Sequence, residues 1–225
     1  MNSKLEKNFL KFKEITKEEF YISKEIKKHL KIKEADTILD IGCANGNLSK
    51  SITTNPANIT FLDVDEFNFL PQEDFIHSSF EEARINKNYD IVLSSHVWGH
   101  FHRNKTFDFC FNKARNLLKE NGKLVVVYNS NKDFTGELIK FTKDLFKEVE
   151  FDIFYKNVIV ELEYQEYDFE VKLKVDTFRE LAEMIQVLMI VPDKIYYSRI
   201  DHITKFLECK LKAPEFSIKQ KLLIV

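Results

Sequence analysis

The sequence predicts an α/β fold built on a mostly parallel sheet covered on both faces, and three observations lead there. Short apolar runs, "DTILDIG", "NITFLDVDE" and "YDIVLSSHV", alternate with stretches of helical spacing. Runs this continuously apolar suit strands buried on both sides, as parallel strands are. Glycine and proline are scarce, at five and four copies in 225 residues, so long regular elements with few loose linkers are expected.

Taken in order, residues 4–30 carry Leu5, Phe9, Phe12 and Ile15, then Ile22, Ile26 and Leu30, at helical spacing. They predict two amphipathic helices broken near Thr16. "DTILDIG" is the first strand and "NLSKSITT" a short helix. "NITFLDVDE", "EDFIHSS" and "YDIVLSSHV" are the next three strands. "TFDFCFNKARNLLKE" is a helix stopped by a turn or cap at Asn121–Gly122. "KLVVVYNS" is a fifth strand and "TGELIKFTKDLFKE" another helix. Residues 151–175 are rich in β-branched and aromatic residues with alternating charge, which predicts antiparallel strands. Helices near "TFRELAEMIQVLMIV" and "YYSRIDHITKFLECKL" follow, and "FSIKQKLLIV" is a final strand.

Composition narrows the function classes. With 44% hydrophobic residues and 31% charged, the chain has the material for one large domain with a true core. A formal net charge of −2 gives no global electrostatic case for nucleic acid, and basic stretches such as "KEIKKHLKIK" suit the wet face of a helix. Three scattered cysteines without paired spacing argue against a disulfide framework and suit a reducing cytoplasm. The first residues lack the apolar core of a secretory signal, and "LAEMIQVLMIV" is too short and too polar to span a bilayer.

The chemistry centres on "ILDIGCANGN". Two glycines, Gly42 and Gly46, follow a strand directly, where ligands of open α/β sheets bind. Gly42 can take an unusual φ and let a ligand approach the backbone, and Gly46 relieves crowding where the next helix starts. A dinucleotide fingerprint needs a central glycine where Ala44 stands, and a third glycine that is missing, so a pyrophosphate cradle is not supported. A tight strand–helix turn is the plain alternative. Asp63 ends the second strand about 20 residues beyond Gly42, the separation at which an acid reaches ribose hydroxyls. Asp65 competes for that role, and Asp63 as a simple turn cap is the bland reading.

"ILDIGCANG", "ITFLDVDE", "YDIVLSSHVWGHF" and "LLKENGKLVVVY" together resemble class I S-adenosylmethionine-dependent methyltransferases in order and spacing, over roughly residues 36–130. The resemblance implies a Rossmann-like three-layer sandwich with a seven-stranded, mostly parallel sheet and an antiparallel last strand. Length suits a single domain over 1–225, expected as N-terminal helices over 1–35, a cofactor core over 36–155, and C-terminal lid elements with the final strand over 156–225. The cofactor implied is S-adenosyl-L-methionine, leaving as S-adenosyl-L-homocysteine. Asp40, Gly42, Cys43, Ala44 and Gly46 fall in the loop around the methionine moiety, Asp63 at the ribose and Val64 against adenine. Ser79 and Phe80 stand where the family usually has an acid and a small residue near the adenine amine. Ser95 and His96 line the floor beneath the reactive methyl.

Methyl transfer is an in-line displacement, so the protein supplies alignment, desolvation and, where needed, removal of a proton. His96 is the candidate base. His100 is a second candidate, with a structural or cofactor-shell role as its alternative. Trp98 either stacks on the acceptor or cationic sulfonium or packs beneath a lid. Tyr21 and Asn129 are candidate acceptor contacts, Tyr21 also reading as an ordinary helix residue. Tyr164, Tyr167 and Asp168 either surround a positive charge of the acceptor or form an exposed hairpin. The local histidines lack a complete ligand shell, so no metal is expected. The expected acceptor is a small molecule with a nucleophilic nitrogen or oxygen, for a monomer or homodimer in the cytoplasm without membrane partners. An RNA methyltransferase and a regulatory protein without turnover are the alternatives.

Overall fold

The computed structural model describes residues 4–65, 74–130, 133–147, 163–189 and 191–225. Helices α1 (Lys4–Thr16) and α2 (Glu18–His29) come first and part at Lys17, whose φ of 50° ends α1. Thr16 helps by turning its hydroxyl back onto the Phe12 carbonyl at 2.8 Å. Strand β1 (Ile38–Ile41), helix α3 (Asn47–Ile52), and strands β2 (Ile59–Asp63), β3 (Phe75–His77) and β4 (Tyr89–Ser95) follow. Then come α4 (Trp98–Arg103), α5 (Phe107–Asn116), β5 (Leu118–Asn129) and α6 (Asp133–Leu145). The chain continues with β6 (Gln165–Lys174), α7 (Phe178–Met189), α8 (Asp193–Tyr197), α9 (Ile200–Lys210) and β7 (Glu215–Ile224).

The strands form one seven-stranded sheet in the order β3-β2-β1-β4-β5-β7-β6. Strands β3, β2, β1, β4 and β5 pair in parallel. The last strand runs the other way. Leu124 and Val225 exchange both backbone hydrogen bonds, at 3.2 and 3.0 Å, which is the signature of an antiparallel pair. The bond from Ser130 N–H to Lys219 O continues the same register in opposite directions along the two strands.

The chain condenses into two compact units. One comprises Met1–Glu18, Asn129–Asp152 and Glu170–Gln220, and the other Glu19–Tyr128, Ile153–Phe169 and Lys221–Val225. In the first, α1 and α9 both pack on α7. Asn8, buried on α1, donates to Glu183 O at 3.0 Å, Gln186 Oε1 at 3.2 Å and Tyr197 Oη at 2.9 Å. In the second, alternation along the strands divides the core into two layers. Leu39, Ile41, Val92, Leu124, Val126 and Tyr128 face one way, against Trp98 and Phe101 of α4 and Phe107, Cys110, Phe111 and Ala114 of α5. Their neighbours Ile38, Ile91, Leu93, Val125 and Val127 face the other, against Ile22 and Ile26 of α2 and Leu48 and Ile52 of α3. Helices on both faces explain why these strands read as unbroken apolar runs.

At the amino ends of these strands one carboxylate joins three segments. Asp90 Oδ2 accepts from Thr37 N at 2.8 Å, Thr37 Oγ1 at 2.8 Å and Lys119 Nζ at 2.7 Å. Burial works against this charge, but the bonds from Lys119 and Thr37 outweigh it and hold the carboxyl at about 2.

The structure corrects three boundaries. The helix expected through residue 120 stops at Asn116, and β5 starts at Leu118. Asn121 and Gly122 turn within that strand, where the register to β4 jumps between Tyr89 and Ile91. Gly122 is needed there, since a Cβ would stand 3.0 Å from the carbonyls of Lys119 and Tyr89. "WGHFHR" is helical, although too short for its period to show. The helix expected over 196–211 is two, because the chain breaks at Ser198–Arg199. Of the antiparallel strands expected over 151–175, β6 is described, and the part before residue 163 lies outside the described residues. Among the described residues, no helix is long and apolar enough to cross a membrane.

Candidate active site

The site forms at the carboxyl ends of β1, β2 and β4, within the second unit. The backbone leaves β1 through three left-handed residues, Gly42 at φ 68°, Ala44 at φ 48° and Gly46 at φ 68°. Gly42 is required twice, by its φ and because a Cβ would lie 2.3 Å from Val97 Cγ2. Gly46 is required by conformation, as the left-handed cap of α3, where the sequence suggested relief of crowding. The turn is tied to β2: Gly42 N and Cys43 N both donate to Leu62 O, at 2.8 and 3.1 Å.

Asp63, at the end of β2, closes the turn with its side chain. Its Oδ2 accepts the Ala44 N–H at 2.8 Å and its Oδ1 the Asp65 N–H at 3.1 Å. Asp65 therefore serves Asp63 through its backbone. Each carboxylate oxygen has a further lone pair, so the carboxylate can take two hydroxyl groups while still holding the turn. Val64 beside it is 61% exposed, an apolar side chain at the strand edge that a flat ring would cover. These residues fit a nucleoside cofactor: a turn open at the backbone, a carboxylate for vicinal hydroxyls and an apolar neighbour.

Asp40 and Cys43 are both buried. The Cys43 side chain joins the core layer of α2 and α3, so this residue faces the turn through its backbone. Burial first, then the carboxylates of Asp40 and Asp63, push its thiol far above the ordinary range. Ser79 begins a single turn after β3: its carbonyl takes the Glu82 and Ala83 N–H groups at 3.2 and 2.9 Å, and its Oγ the Glu82 N–H at 3.3 Å. The Phe80 ring lies in the core, 5.9 Å from that of Phe101. What Phe80 offers a ligand is therefore its backbone, since its side chain is packed away.

Ser95 is the last residue of β4 and is half-buried. His96 follows in the left-handed region at φ 61°, fixed by its N–H on Val127 O at 2.9 Å. A non-glycine residue held there stores strain, which collects at functional sites. His100, half-buried on α4, donates its N–H to Val97 O at 2.9 Å. Trp98 is 1% exposed and its ring meets Phe101, Phe107 and Phe111 at 5.2, 5.4 and 5.8 Å. Of its two readings, this placement is the packing one: the indole belongs to the core instead of meeting an acceptor. Among the described residues no group of three or more His, Cys, Asp or Glu is placed to hold a metal ion.

Tyr21 is 41% exposed on α2, with its ring edge-on to exposed Phe20 at 5.5 Å. Asn129, in the first unit, accepts from Gln220 Nε2 at 3.2 Å, and the same nitrogen reaches the buried Glu18 carboxylate. The positive charge beside Asp168 is the protein's own. Lys221 Nζ binds Asp168 at 2.8 Å and Glu166 at 2.6 Å, and Tyr128 Oη donates to Glu166 at 2.9 Å. Tyr167 stacks on His29 at 3.4 Å. Among the described residues the aromatic–acidic run is thus an internally paired strand segment, with Asp168 still largely exposed. Lys113, which the sequence did not single out, reaches three carbonyls of the Ser79 turn: Phe80 O at 2.6 Å, Ala83 O at 2.7 Å and Glu81 O at 3.3 Å. No sequence signal marks it, because it lies a helix away on an ordinary amphipathic face.

Solved structures share this architecture. A candidate methyltransferase from an antibiotic biosynthesis pathway of Anabaena variabilis is 12% identical, with 92% of this chain and 96% of that one covered and a TM-score of 0.61. The YcgJ protein of Bacillus subtilis is 12% identical over 91% and 97%, with a TM-score of 0.58. Coclaurine N-methyltransferase bound to N-methylheliamine and S-adenosylhomocysteine is 12% identical over 92% and 72%, with a TM-score of 0.50. No curated protein matches the chain in sequence. The family model of the methyltransferase domain matches residues 15–188, a span holding the left-handed turn, Asp63 and the strained end of β4. With its 3-2-1-4-5-7-6 sheet, the chain belongs to the class I S-adenosylmethionine-dependent methyltransferases.

Proposed function

We propose that this methyltransferase acts on a small molecule, with the turn at Gly42–Gly46 and Asp63 as its cofactor site. The observation that carries the reading is the tie between them, the Ala44 N–H on Asp63 Oδ2 at 2.8 Å. Three left-handed residues open the backbone, and the carboxylate that fastens Ala44 keeps lone pairs for ribose hydroxyls. The backbone of Gly42, Cys43, Ala44 and Gly46 receives the methionine moiety, with Asp40 buried behind it. Val64 covers one face of adenine and the Ser79–Phe80 turn meets its edge. The bound cofactor supplies an activated methyl on a sulfonium centre.

The chain's own residues then align and desolvate. Ser95 and His96 form the floor beneath the transferring group, and the fixed backbone of His96 supports its use as a base toward the acceptor's proton. His100, on the next turn of chain, is the second candidate. Tyr21, an exposed ring on α2, contacts the acceptor in this reading. A near-neutral charge balance of −2 favours a small acceptor over RNA. Coclaurine N-methyltransferase, on a similar fold, is bound to N-methylheliamine. An amine nitrogen and a hydroxyl or acid oxygen are the two acceptor chemistries this geometry serves.

The test is a transfer assay with methyl-labelled S-adenosylmethionine against fractionated metabolite extract of the source cell, read by mass spectrometry. A labelled small molecule that disappears with Asp63→Ala supports the reading. Label confined to the RNA fraction, or no transfer by a protein that binds S-adenosylhomocysteine, overturns it.

A further inference from the structure

The ammonium of Lys113 is the least expected charge near the cofactor edge. It projects from α5, is half-buried, and donates to the carbonyls of Phe80, Glu81 and Ala83 at 2.6, 3.3 and 2.7 Å. An ammonium carries three N–H donors, so its whole donor set is spent on one turn of backbone. The same turn is closed from its other end by Ser79, which takes the Glu82 and Ala83 N–H groups. A second pin comes from Thr106, whose hydroxyl donates to Glu81 Oε1 at 2.9 Å. The Lys113 ammonium also stands 5.0 Å from the centre of the Phe80 ring, a cation–π distance.

A one-turn segment leaves its last carbonyls without partners inside the turn. Here a single cation takes three of them, those of Phe80, Glu81 and Ala83, which fixes both the rotation of the turn and its distance from α5. We infer that Lys113 is a positioning residue for cofactor binding: it sets the orientation in which the Ser79–Phe80 backbone meets the adenine edge. Ser79 makes this need acute. A serine hydroxyl holds an adenine amine less strongly than a carboxylate would, so recognition depends more on where the backbone is held. Lys113 touches neither cofactor nor acceptor; it acts through the turn.

The inference rests on the placement of adenine beside Ser79 and Phe80, and the experiment separates the two. Calorimetry compares S-adenosylhomocysteine with S-inosylhomocysteine, which differs only at the base edge, on wild type, Lys113→Met and Lys113→Arg. Wild type should prefer the adenine ligand. Lys113→Met should lose about tenfold in affinity for it, ~1.4 kcal/mol, while the inosine ligand changes little, and Lys113→Arg should restore most of the loss. If wild type does not distinguish the two ligands, the adenine placement fails. If it does, and Lys113→Met keeps wild-type preference, the role of Lys113 is overturned. Equal loss for both ligands also overturns it, because general loosening would weaken both. Should Lys113→Met not fold, Lys113→Gln, uncharged but with two donors, carries the same comparison.

Discussion

The two ends of the central strands are held by opposite means. At the amino ends a side chain does the joining: Asp90 gathers Thr37 and Lys119 onto one oxygen, linking the approach to β1 with β4 and β5. At the carboxyl ends the backbone does most of it. Gly42 and Cys43 share one β2 carbonyl, His96 hangs on Val127 O, and three of the turn residues are left-handed. Asp63 is the exception that serves both purposes. An end fastened by side chains has few left for a ligand. An end fastened by backbone bonds keeps its polar groups for binding and accepts strain in exchange.

The sharpest test of that contrast is Asp63→Ala. Losing two hydroxyl contacts to a charged group should cost on the order of 2–4 kcal/mol in S-adenosylhomocysteine affinity, about 30- to several hundred-fold. Calorimetry reads it directly, and an unchanged affinity would deprive Asp63 of its ribose role. Next is Gly42→Ala, which forces a Cβ into Val97 and a residue with a side chain into the left-handed region. A stability loss of about 1–3 kcal/mol is expected in denaturant unfolding. Val97→Ala should recover the steric share and not the conformational one, a non-additivity that a double-mutant cycle measures.

Asp90→Ala should act on the other end alone, lowering stability by about 1–2 kcal/mol with ligand affinity within about twofold. The sign of its pH dependence follows from a folded value held near 2, below the 3.8 of the free group. The stabilisation is complete above the free value and fades as pH falls through 3.8 toward 2. Acid unfolding of wild type and Asp90→Ala should therefore converge below that window, and a constant difference would break the assignment. A smaller effect is expected at His96. His96→Gly relieves the left-handed strain and should change stability by less than about 1 kcal/mol, while turnover on an identified acceptor falls. If turnover is unchanged, neither the strain nor the imidazole serves the reaction. Last, treatment with a chelator should leave methyl transfer untouched; its loss would restore the histidines of "HVWGHFH" as metal ligands.

What was legible in the sequence follows the same division. Gly42, Gly46 and Asp63 could be found because a backbone-built edge demands particular residue types at particular points. The parallel strands could be found because burial on both faces removes polar positions from the run. Trp98 and Phe80 could not be placed, since an aromatic beside a ligand and an aromatic in a core have the same spacing. Nor could Lys113, whose partners are carbonyls and carry no residue identity. The stop of α5 at Asn116 was hidden by "LLKE", good helix formers that pairing with β4 draws into a strand. The positive charge that one reading assigned to an acceptor beside Asp168 is that of Lys221, from a strand distant in sequence.

The thiol of Cys43 has a chemical consequence of its own. A thiolate is the strongest nucleophile the side chains offer, and a sulfonium methyl is an electrophile. A reactive cysteine in the turn assigned to the methyl donor would alkylate itself and end the enzyme's working life. Burial, reinforced by the carboxylates of Asp40 and Asp63, keeps the proton on that sulfur, and its side chain points into the layer beneath α2 and α3. The same carboxylate that fastens the turn thus also passivates it. Cys209, exposed on α9, has no such protection, so an alkylating reagent should mark Cys209 in the folded protein and reach Cys43 only as the molecule unfolds.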